Sequence, residues 1–351
     1  MARIVLADDG IEFDGKTMDS RPLGGVESSV VNLVEEFARR GHEVIVRNRC
    51  KAPLLHNGVD WAPIDTEVAY GNVPGDADLY IANRGDKLIR LVPGARNVAF
   101  WIHNPASYLL KWRYLSKLWL RKPAIVFIGT YHAETYPAWA PGGVRKVIPY
   151  GVPDEFRTAK PGTEIPGPRA VFTSNPLRSL DWLLGLWGNH IHSAVPGSEL
   201  HVFSGAATYG SVGDAKSQAM KTILEKAVSM SDKGVVLRGP VPKSQLVEEF
   251  RNARVMLYRG DLNETFCLAV GEAQAMGVPG VVEKLGSVVE RVIDGKTGFV
   301  VDNEETFCQS AVKLLSDDAL WSEQHETALD LQRRWSWTEA AQEFEKLITV
   351  K

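Results

Sequence analysis

Short apolar runs alternate with amphipathic helical patterns along almost the whole chain. Parallel strands whose crossover helices cover both faces of a sheet have this pattern, so it predicts an α/β fold. The strand candidates of the first half are 3–7, 44–47, 79–82, 98–101, 125–128 and 146–149. Those of the second half are 170–173, 199–203, 235–237, 255–258 and 280–282. The two series predict two Rossmann-like, doubly wound domains.

A stretch rich in proline and glycine separates the two series. Residues 157–169 read RTAKPGTEIPGPR, without an apolar period, which predicts an interdomain linker. We therefore expect an N-terminal domain over 1–156, a C-terminal domain over 170–335 and, within 336–351, a final helix that packs back on the N-terminal domain. Doubly wound sheets bind ligands at the carboxyl ends of their strands, so we expect the site in a cleft between the facing domains.

Composition and charge exclude several other classes of protein. Hydrophobic residues at 44% and charged residues at 24% argue against disordered, collagen-like and coiled-coil chains. A net charge of -3 gives no global attraction for nucleic acid, and the 3 widely spaced cysteines fit neither a disulfide framework nor a zinc motif. No window has about 18 uninterrupted apolar residues. We therefore expect a cytoplasmic protein without a transmembrane helix, and no nucleic acid as its partner.

A glycine pair, Gly24-Gly25, opens the first predicted helix, for which Gly41 is the expected C-cap. Glycine lets a ligand approach the backbone closely, and the free N–H groups of a first helical turn can bind phosphate. A flexible loop that enters a helix explains the pair equally well. The GxGxxG pattern is absent, which argues against a dinucleotide-dependent dehydrogenase.

Two glutamates, Glu264 and Glu272, lie eight residues apart in the second half. Glu272 is the sole charged residue between Thr265 and Val282, where small and apolar residues predict a buried helix. A carboxylate there needs a strong partner, either a protein side chain such as an arginine or a sugar hydroxyl. Glu264 precedes the helix, whose first N–H groups are expected to face an anion or a sugar. Capping its own helix is the alternative for Glu264.

Arg178 and His103 each follow a predicted strand. Arg178 opens a helix, a position from which a guanidinium and a helix N-terminus can together bind a diphosphate; the alternative is a surface arginine. His103 stands in Trp101-Ile102-His103-Asn104-Pro105 at the carboxyl end of a strand. It is either a ligand contact or a polar loop residue that the backbone satisfies.

Residues 108–122, YLLKWRYLSKLWLRK, combine aromatic and basic side chains without an acid. On a helical wheel one face holds Tyr108, Trp112, Leu115 and Trp119, beside a basic stripe of Arg113, Lys117 and Arg121. Such a helix can lie in a membrane interface, pack on the sheet as an ordinary amphipathic helix, or face an anionic acceptor.

Together these motifs resemble the retaining GT-B glycosyltransferases of family 4, over nearly the whole chain. The motifs that carry the resemblance are Gly24-Gly25, Gly41-His42-Glu43-Val44, Tyr150-Gly151-Val152-Pro153, the Glu264–Glu272 pair with the following Gly277-Val278-Pro279, and Asp294-Gly295-Lys296-Thr297-Gly298-Phe299-Val300. The resemblance implies a GT-B fold. It also implies transfer of a hexosyl group, with retention, from a nucleotide diphosphate sugar, UDP- or GDP-linked, to a hydroxyl of a glycan, lipid-linked or small-molecule acceptor.

The resemblance also implies roles for residues. Glu272 would hold the ribose, Glu264 would lie beside the donor sugar, and His103 would contact that sugar from the N-terminal domain, which holds the acceptor. The base would lie near 236–240. The further donor-binding residues implied are Gly24, Gly25, Arg178, Lys243, Thr265, Phe266, Cys267 and Leu268.

One position departs from the family pattern. Many members carry Arg-x4-Lys on the donor diphosphate, but Leu183 stands five residues after Arg178. Lys243, Lys284 and Arg259 are the candidates for the second cation. The family does not generally require a metal, and we expect no metal and no cofactor besides the sugar nucleotide. A GT-B-like epimerase or hydrolase and a non-catalytic sugar-nucleotide-binding module are the alternatives.

Overall fold

The computed structural model describes residues 1–21, 23–65, 72–205 and 214–348. The chain forms two compact units. Unit 1 comprises Met1–Gly151 together with Trp337–Lys351, and unit 2 comprises Val152–Ser336.

The segment 157–169, which the sequence suggests as a linker, lies within unit 2. Arg333 Nη2 donates to the carbonyl of Ala159 at 2.9 Å, and Arg251 Nε donates to the carbonyl of Lys160 at 2.8 Å. These hydrogen bonds attach the irregular segment to unit 2, so the division of the chain comes earlier, after Gly151.

The sheet of unit 1 contains eight strands among the described residues. They are β1 Arg3–Asp8, β2 Glu43–Asn48, β3 Leu54–His56, β4 Val59–Pro63, β5 Leu79–Asn83, β6 Asn97–Trp101, β7 Ala124–Phe127 and β8 Arg145–Val147. Their order is β3-β4-β2-β1-β5-β6-β7-β8. All neighbours are parallel except β3 and β4, which are antiparallel.

The sheet of unit 2 contains six strands among the described residues, all parallel. They are β9 Arg169–Phe172, β10 Glu199–Val202, β11 Val235–Leu237, β12 Val255–Tyr258, β13 Gly280–Glu283 and β14 Gly298–Val301. The order β11-β10-β9-β12-β13-β14 is the strand order of a Rossmann sheet. The prediction of two α/β, Rossmann-like doubly wound units is confirmed.

The helices that cover these sheets follow the predicted alternation with the strands. Those in the described residues are α1 Thr17–Ser20, α2 Gly25–Arg39, α3 Trp112–Arg121, α4 Thr130–Glu134, α5 Asp154–Arg157, α6 Leu180–Leu186, α7 His192–Ala194, α8 Asp214–Ser229, α9 Lys243–Arg251, α10 Leu268–Ala275, α11 Glu304–Ser316, α12 Asp318–Gln332 and α13 Trp337–Glu345. No described helix has the length and apolar character that crossing a bilayer requires.

Helix α2 begins at Gly25, as the glycine pair predicts, and buries one apolar face on the sheet of unit 1. The last helix, α13, packs against it within the same unit. The Phe344 ring lies 6.2 Å from Phe37 of α2 and 5.4 Å from Trp101 of β6, between ring centroids. Arg40 Nε donates to Glu345 at 2.6 Å. This aromatic contact closes one side of the core of unit 1.

The aromatic and basic segment 108–122 is not one continuous helix. A 3-10 turn covers Ala106–Leu110, the backbone is extended at Lys111, and α3 then begins at Trp112. The prediction that Tyr108 shares a face with Trp112 and Trp119 is therefore wrong, because Tyr108 belongs to the separate turn.

Helix α3 buries Tyr114 and Leu118 and leaves Trp112 79% and Trp119 64% exposed. Its basic stripe is partly neutralised, because Lys117 forms an ion pair with Asp86.

Candidate functional site

Each sheet has a point at which the strand order reverses, and open α/β sheets bind ligands beyond the strand ends at that point. In unit 2 the reversal lies between β9 and β12. The loop after β9 carries Arg178, and the loop after β12 carries Glu264. The sequence places these residues far apart, and the topology brings them to one edge of the sheet.

Arg178 and Glu264 form an ion pair at this edge. The second carboxylate oxygen of Glu264 accepts a hydrogen bond from the Tyr258 hydroxyl at 2.6 Å. The Glu264 side chain is 10% exposed, whereas that of Arg178 is 34% exposed, so the guanidinium still reaches the surface. Glu264 does not cap α10, which begins after Cys267 without a side-chain cap. A free surface arginine and a helix-capping glutamate are therefore both excluded.

Burial opposes the charge of both partners of this pair. Burial raises the pKa of Glu264, and the charge of Arg178 counteracts the rise. Burial also disfavours the charged form of Arg178, but the Glu264 carboxylate and the Tyr258 oxygen outweigh that cost and raise the pKa of Arg178. Each charge thus stabilises the other in a partly dry site.

The loop from Glu264 to Leu268 ends in an unusual backbone conformation. Cys267 has φ +63°, in the left-handed region, at the N-cap of α10. Its buried thiol hydrogen-bonds the Glu264 carboxylate, and burial raises the pKa of that thiol. The loop is therefore held to Glu264 at its far end, directly before the N–H groups of the first turn of α10.

Glu272, on α10, has a cationic protein partner. Lys243 Nζ donates to Glu272 Oε1 at 2.7 Å and lies 5.9 Å from the centre of the Phe156 ring. The two side chains are 22% and 9% exposed. Of the two partners that the sequence allows for this carboxylate, the structure shows a protein side chain, and that side chain is a lysine.

The remaining candidates for a second cation lie in different settings. Arg259 Nε donates to Glu283 at 2.6 Å, and its guanidinium stacks 4.9 Å from the ring centre of Trp182. Lys284 is exposed. Leu183 is 1% exposed in the core, so α6 directs that position away from solvent.

In unit 1 the strand order reverses between β1 and β5, and a second polar cluster lies there. Asp8 ends β1 and is fully buried. It accepts from Arg84 Nε at 3.1 Å, from Arg84 Nη2 at 3.0 Å and from the backbone N–H of Gly10 at 2.6 Å. Arg84 Nη2 also donates to Glu27 of α2 at 2.9 Å. A Cβ at Gly10 would lie 1.9 Å from Arg84 Nη2, so this packing requires glycine.

His103 belongs to the same cluster, and its tautomer follows from its neighbours. The Asp8 carboxylate only accepts, so the Asn83 amide turns its Nδ2 to Asp8 and its Oδ1 to His103. His103 Nε2 therefore donates to Asn83 Oδ1 at 2.5 Å, and His103 Nδ1 accepts from the Tyr150 hydroxyl at 2.5 Å. Side chains, and not the backbone alone, satisfy this histidine. Burial lowers its pKa well below the ordinary value, which favours the neutral ring.

The glycine pair stands beside this cluster. Gly24 is the N-cap of α2, and a Cβ there would lie 2.5 Å from Glu27 Oε2. The Glu27 carboxylate thus lies over the helix N-terminus, where the sequence predicts a phosphate. A phosphate at this helix end would have to displace Glu27, which Arg84 already holds through Oε1.

Residues 171–317 match the family model of the glycosyl transferases group 1. The chain is 30% identical over 118 residues to the D-inositol 3-phosphate glycosyltransferase of Corynebacterium glutamicum. These residues make up 33% of this chain and 28% of that relative. The chain therefore spans little more than a quarter of the length of the curated relative it matches.

Two solved structures show the fold of the whole chain. Sucrose-phosphate synthase from Thermosynechococcus elongatus superposes with a TM-score of 0.72 at 14% identity, over 98% of this chain and 97% of that one. Anabaena HepE, solved in complex with UDP-glucose, superposes with a TM-score of 0.71 at 13% identity, over 99% of both chains. The fold is GT-B, and the comparisons support the glycosyl transferases group 1 family.

Proposed function

We propose that this protein is a retaining, metal-independent glycosyltransferase. It moves a hexosyl group from a nucleotide diphosphate sugar, UDP- or GDP-linked, to a hydroxyl of a glycan, a lipid-linked acceptor or a small molecule. The observation that supports this function best is the Arg178–Glu264 pair at the strand reversal of unit 2, within the residues that match the family model. HepE, with its bound UDP-glucose, supports this class of donor, and the name of the inositol phosphate glycosyltransferase supports glycosyl transfer.

In the proposed donor site, a cation and helix N–H groups bind the diphosphate, and a carboxylate accepts hydrogen bonds from the sugar. Arg178 and the first N–H groups of α10 hold the diphosphate, and Glu264 accepts from the hydroxyls of the sugar. When the glycosidic bond breaks, the leaving diphosphate gains negative charge, which the Arg178 guanidinium stabilises. The diphosphate then takes the proton of the attacking acceptor hydroxyl on the same face of the sugar, so no general base is assigned and configuration is retained.

The donor assignment is tested with Glu272, which the proposal places on the ribose hydroxyls. Thermal unfolding with UDP-, GDP-, ADP- and dTDP-sugars will identify the donor, because a ligand at 100 times its dissociation constant adds about 2.7 kcal/mol of stability. We expect the Glu272→Ala variant to bind that donor about 10–100-fold more weakly, since it loses hydrogen bonds to a charged group.

The matched control is Glu248→Ala, because Glu248 is 65% exposed on α9. Equal donor affinity of Glu272→Ala and the wild-type protein would contradict the donor assignment. Turnover of the identified donor, followed by NMR with and without a chelator, reports the anomeric configuration and the need for a metal. An inverted product, or activity lost to the chelator, would reject those parts of the proposal.

We also propose that α3 makes a peripheral contact with anionic membranes. The exposed rings of Trp112 and Trp119 are of the kind that enter the headgroup region, and Arg113 is 62% exposed beside them. The Trp112→Ala/Trp119→Ala double variant should bind vesicles of phosphatidylglycerol and phosphatidylcholine at least about tenfold more weakly in sedimentation, because two large apolar groups are lost. Trp139, 72% exposed elsewhere in unit 1, supplies the control Trp139→Ala. Absence of vesicle binding by the wild-type protein would refute the contact.

A further inference from the structure

Arg291 is a half-buried cation on which the charge of Glu290 acts, but no described carboxylate lies within ion-pair distance of it. Its Nε is enclosed and has no hydrogen-bond partner, and its guanidinium forms no ion pair with any described residue. Among the described arginines that are not exposed, it alone forms neither an ion pair with a carboxylate nor a side-chain hydrogen bond to a carbonyl. Burial lowers the pKa of Arg291, yet an arginine keeps its charge at neutral pH. A cation in this setting is costly unless a ligand supplies the missing anion.

The position of Arg291 links it to the loop that precedes α10. Its guanidinium carbon lies 4.1 Å from the centre of the Phe266 ring, a cation–π distance that fixes the side chain against this loop. Its Cδ lies 3.9 Å from where a Cβ at Gly271 would stand, so the stem follows the first turns of α10. The charge is therefore held beside the N-terminus of α10, on the loop whose first residue, Glu264, pairs with Arg178.

Each of the other candidates for the second cation is either paired with a carboxylate, as Arg178 itself is, or exposed. Lys243 is engaged with Glu272, and Arg259 is engaged with Glu283. Lys284 is exposed, and no described contact fixes its side chain. Arg291 combines a fixed position with a guanidinium that has no ion pair among the described residues and an enclosed Nε without a hydrogen-bond partner, as expected of a group arranged for a ligand.

We propose that Arg291 binds the diphosphate of the donor and is, beside Arg178, the second cation of the site. This inference rests on the proposed function and adds to it a residue that local motifs do not indicate. In this assignment Arg291, from the segment after β13, takes the role of the lysine that is missing at position 183.

Calorimetric titration of UDP, GDP, ADP and dTDP, each beside its monophosphate, tests this role. We expect the Arg291→Gln variant to lose about 10–100-fold in affinity for the diphosphate, as hydrogen bonds to a charged group disappear, and much less for the monophosphate. The melting temperature of the free variant should equal or exceed that of the wild-type protein, because an unpaired cation has been removed. Arg291→Lys should keep part of the affinity.

The matched control is Arg90→Gln, which removes an exposed arginine from unit 1. Equal losses for the diphosphate and the monophosphate, unchanged diphosphate affinity in Arg291→Gln, or a clear fall in its melting temperature would each overturn the role of Arg291. Those results leave the proposed function intact as long as the wild-type protein binds a nucleoside diphosphate. A wild-type protein that binds none of the four overturns both.

Discussion

The Arg178→Ala variant will transfer sugar with a kcat/KM about 10²–10³-fold below that of the wild-type protein. A donor group aimed at the charge that develops in the transition state has an effect of this size. The substitution also leaves Glu264 buried without its cation, which raises the pKa of that carboxyl further. A protonated Glu264 accepts weaker hydrogen bonds from the sugar hydroxyls. Initial rates over a range of donor and acceptor concentrations give the change in kcat/KM.

Two variants separate this effect from a general loss of charge. Arg178→Lys keeps the charge but not the planar fork, and an intermediate rate is expected. Arg334→Ala removes an arginine that is 65% exposed in an ion pair with Asp330, and it should leave both kcat/KM and stability nearly unchanged. A kcat/KM of Arg178→Ala within about threefold of the wild-type value would remove Arg178 from the mechanism.

Unit 1 will lose stability as the pH falls from 6.5 toward 4, because His132 is buried as the neutral ring. Its Nδ1 accepts from the backbone N–H of Ile128 at 3.2 Å, and its Nε2 donates to the carbonyl of Asn104 at 2.8 Å. Burial lowers the pKa of His132 to about 4, from an ordinary value of 6.5. Between pH 6.5 and pH 4 the ring is protonated in the unfolded chain and neutral in the folded unit. The free energy of unfolding therefore falls by up to about 3 kcal/mol as the pH decreases. Burial lowers the pKa of His103 as well, and this adds in the same direction.

Amide hydrogen exchange in β7, measured between pH 7.5 and 4.5, follows the stability of unit 1 near His132. The values are corrected for the pH dependence of intrinsic exchange. The His132→Asn variant should show a shallower dependence on pH, by about 1.4 kcal/mol per pH unit below 6.5, even where its absolute stability is lower. His190→Asn, at an exposed position of unit 2, is the control. Parallel pH dependences of His132→Asn and the wild-type protein would show that His132 does not titrate as its burial demands.

The sequence indicates which charged residues of unit 2 belong to the site, but it does not indicate which of them contact each other. Arg178, Glu264, Glu272 and Lys243 are all indicated by motif or position. Their pairing is not, because Arg178 and Glu264 are 86 residues apart and meet through the order of the strands. The Tyr258 hydroxyl is not indicated either, because Tyr258 ends an apolar run and looks like a core residue.

In unit 1 the sequence indicates His103 but not the side chains that fix it. Asp8 and Asn83 each stand at the end of a predicted strand, which is the signal that could have marked them. Neither position is informative until β1 and β5 are known to be neighbours, and local periodicity does not contain that information. Long-range contacts of this kind are set by the topology of the sheet.

Local chemistry explains the two clearest differences in secondary structure. Strands β3 and β4 form a hairpin through Asn57 and Gly58, which have φ +46° and +78°. An Asn-Gly pair is a strong hairpin signal, but the strands that flank it, Leu54–His56 and Val59–Pro63, are short. The helix expected over 108–122 is interrupted at Lys111. The extended backbone of Lys111 separates the 3-10 turn Ala106–Leu110 from α3.

The position of α13 sets the order in which the two cores can be completed. Phe344, which closes the core of unit 1 against Phe37 and Trp101, comes later in the chain than all of unit 2. A ribosome therefore delivers every strand of unit 2 before it delivers the last helix of unit 1. Unit 1 is the first to begin synthesis, but its hydrophobic core is completed after that of unit 2, because its last side chains come from α13.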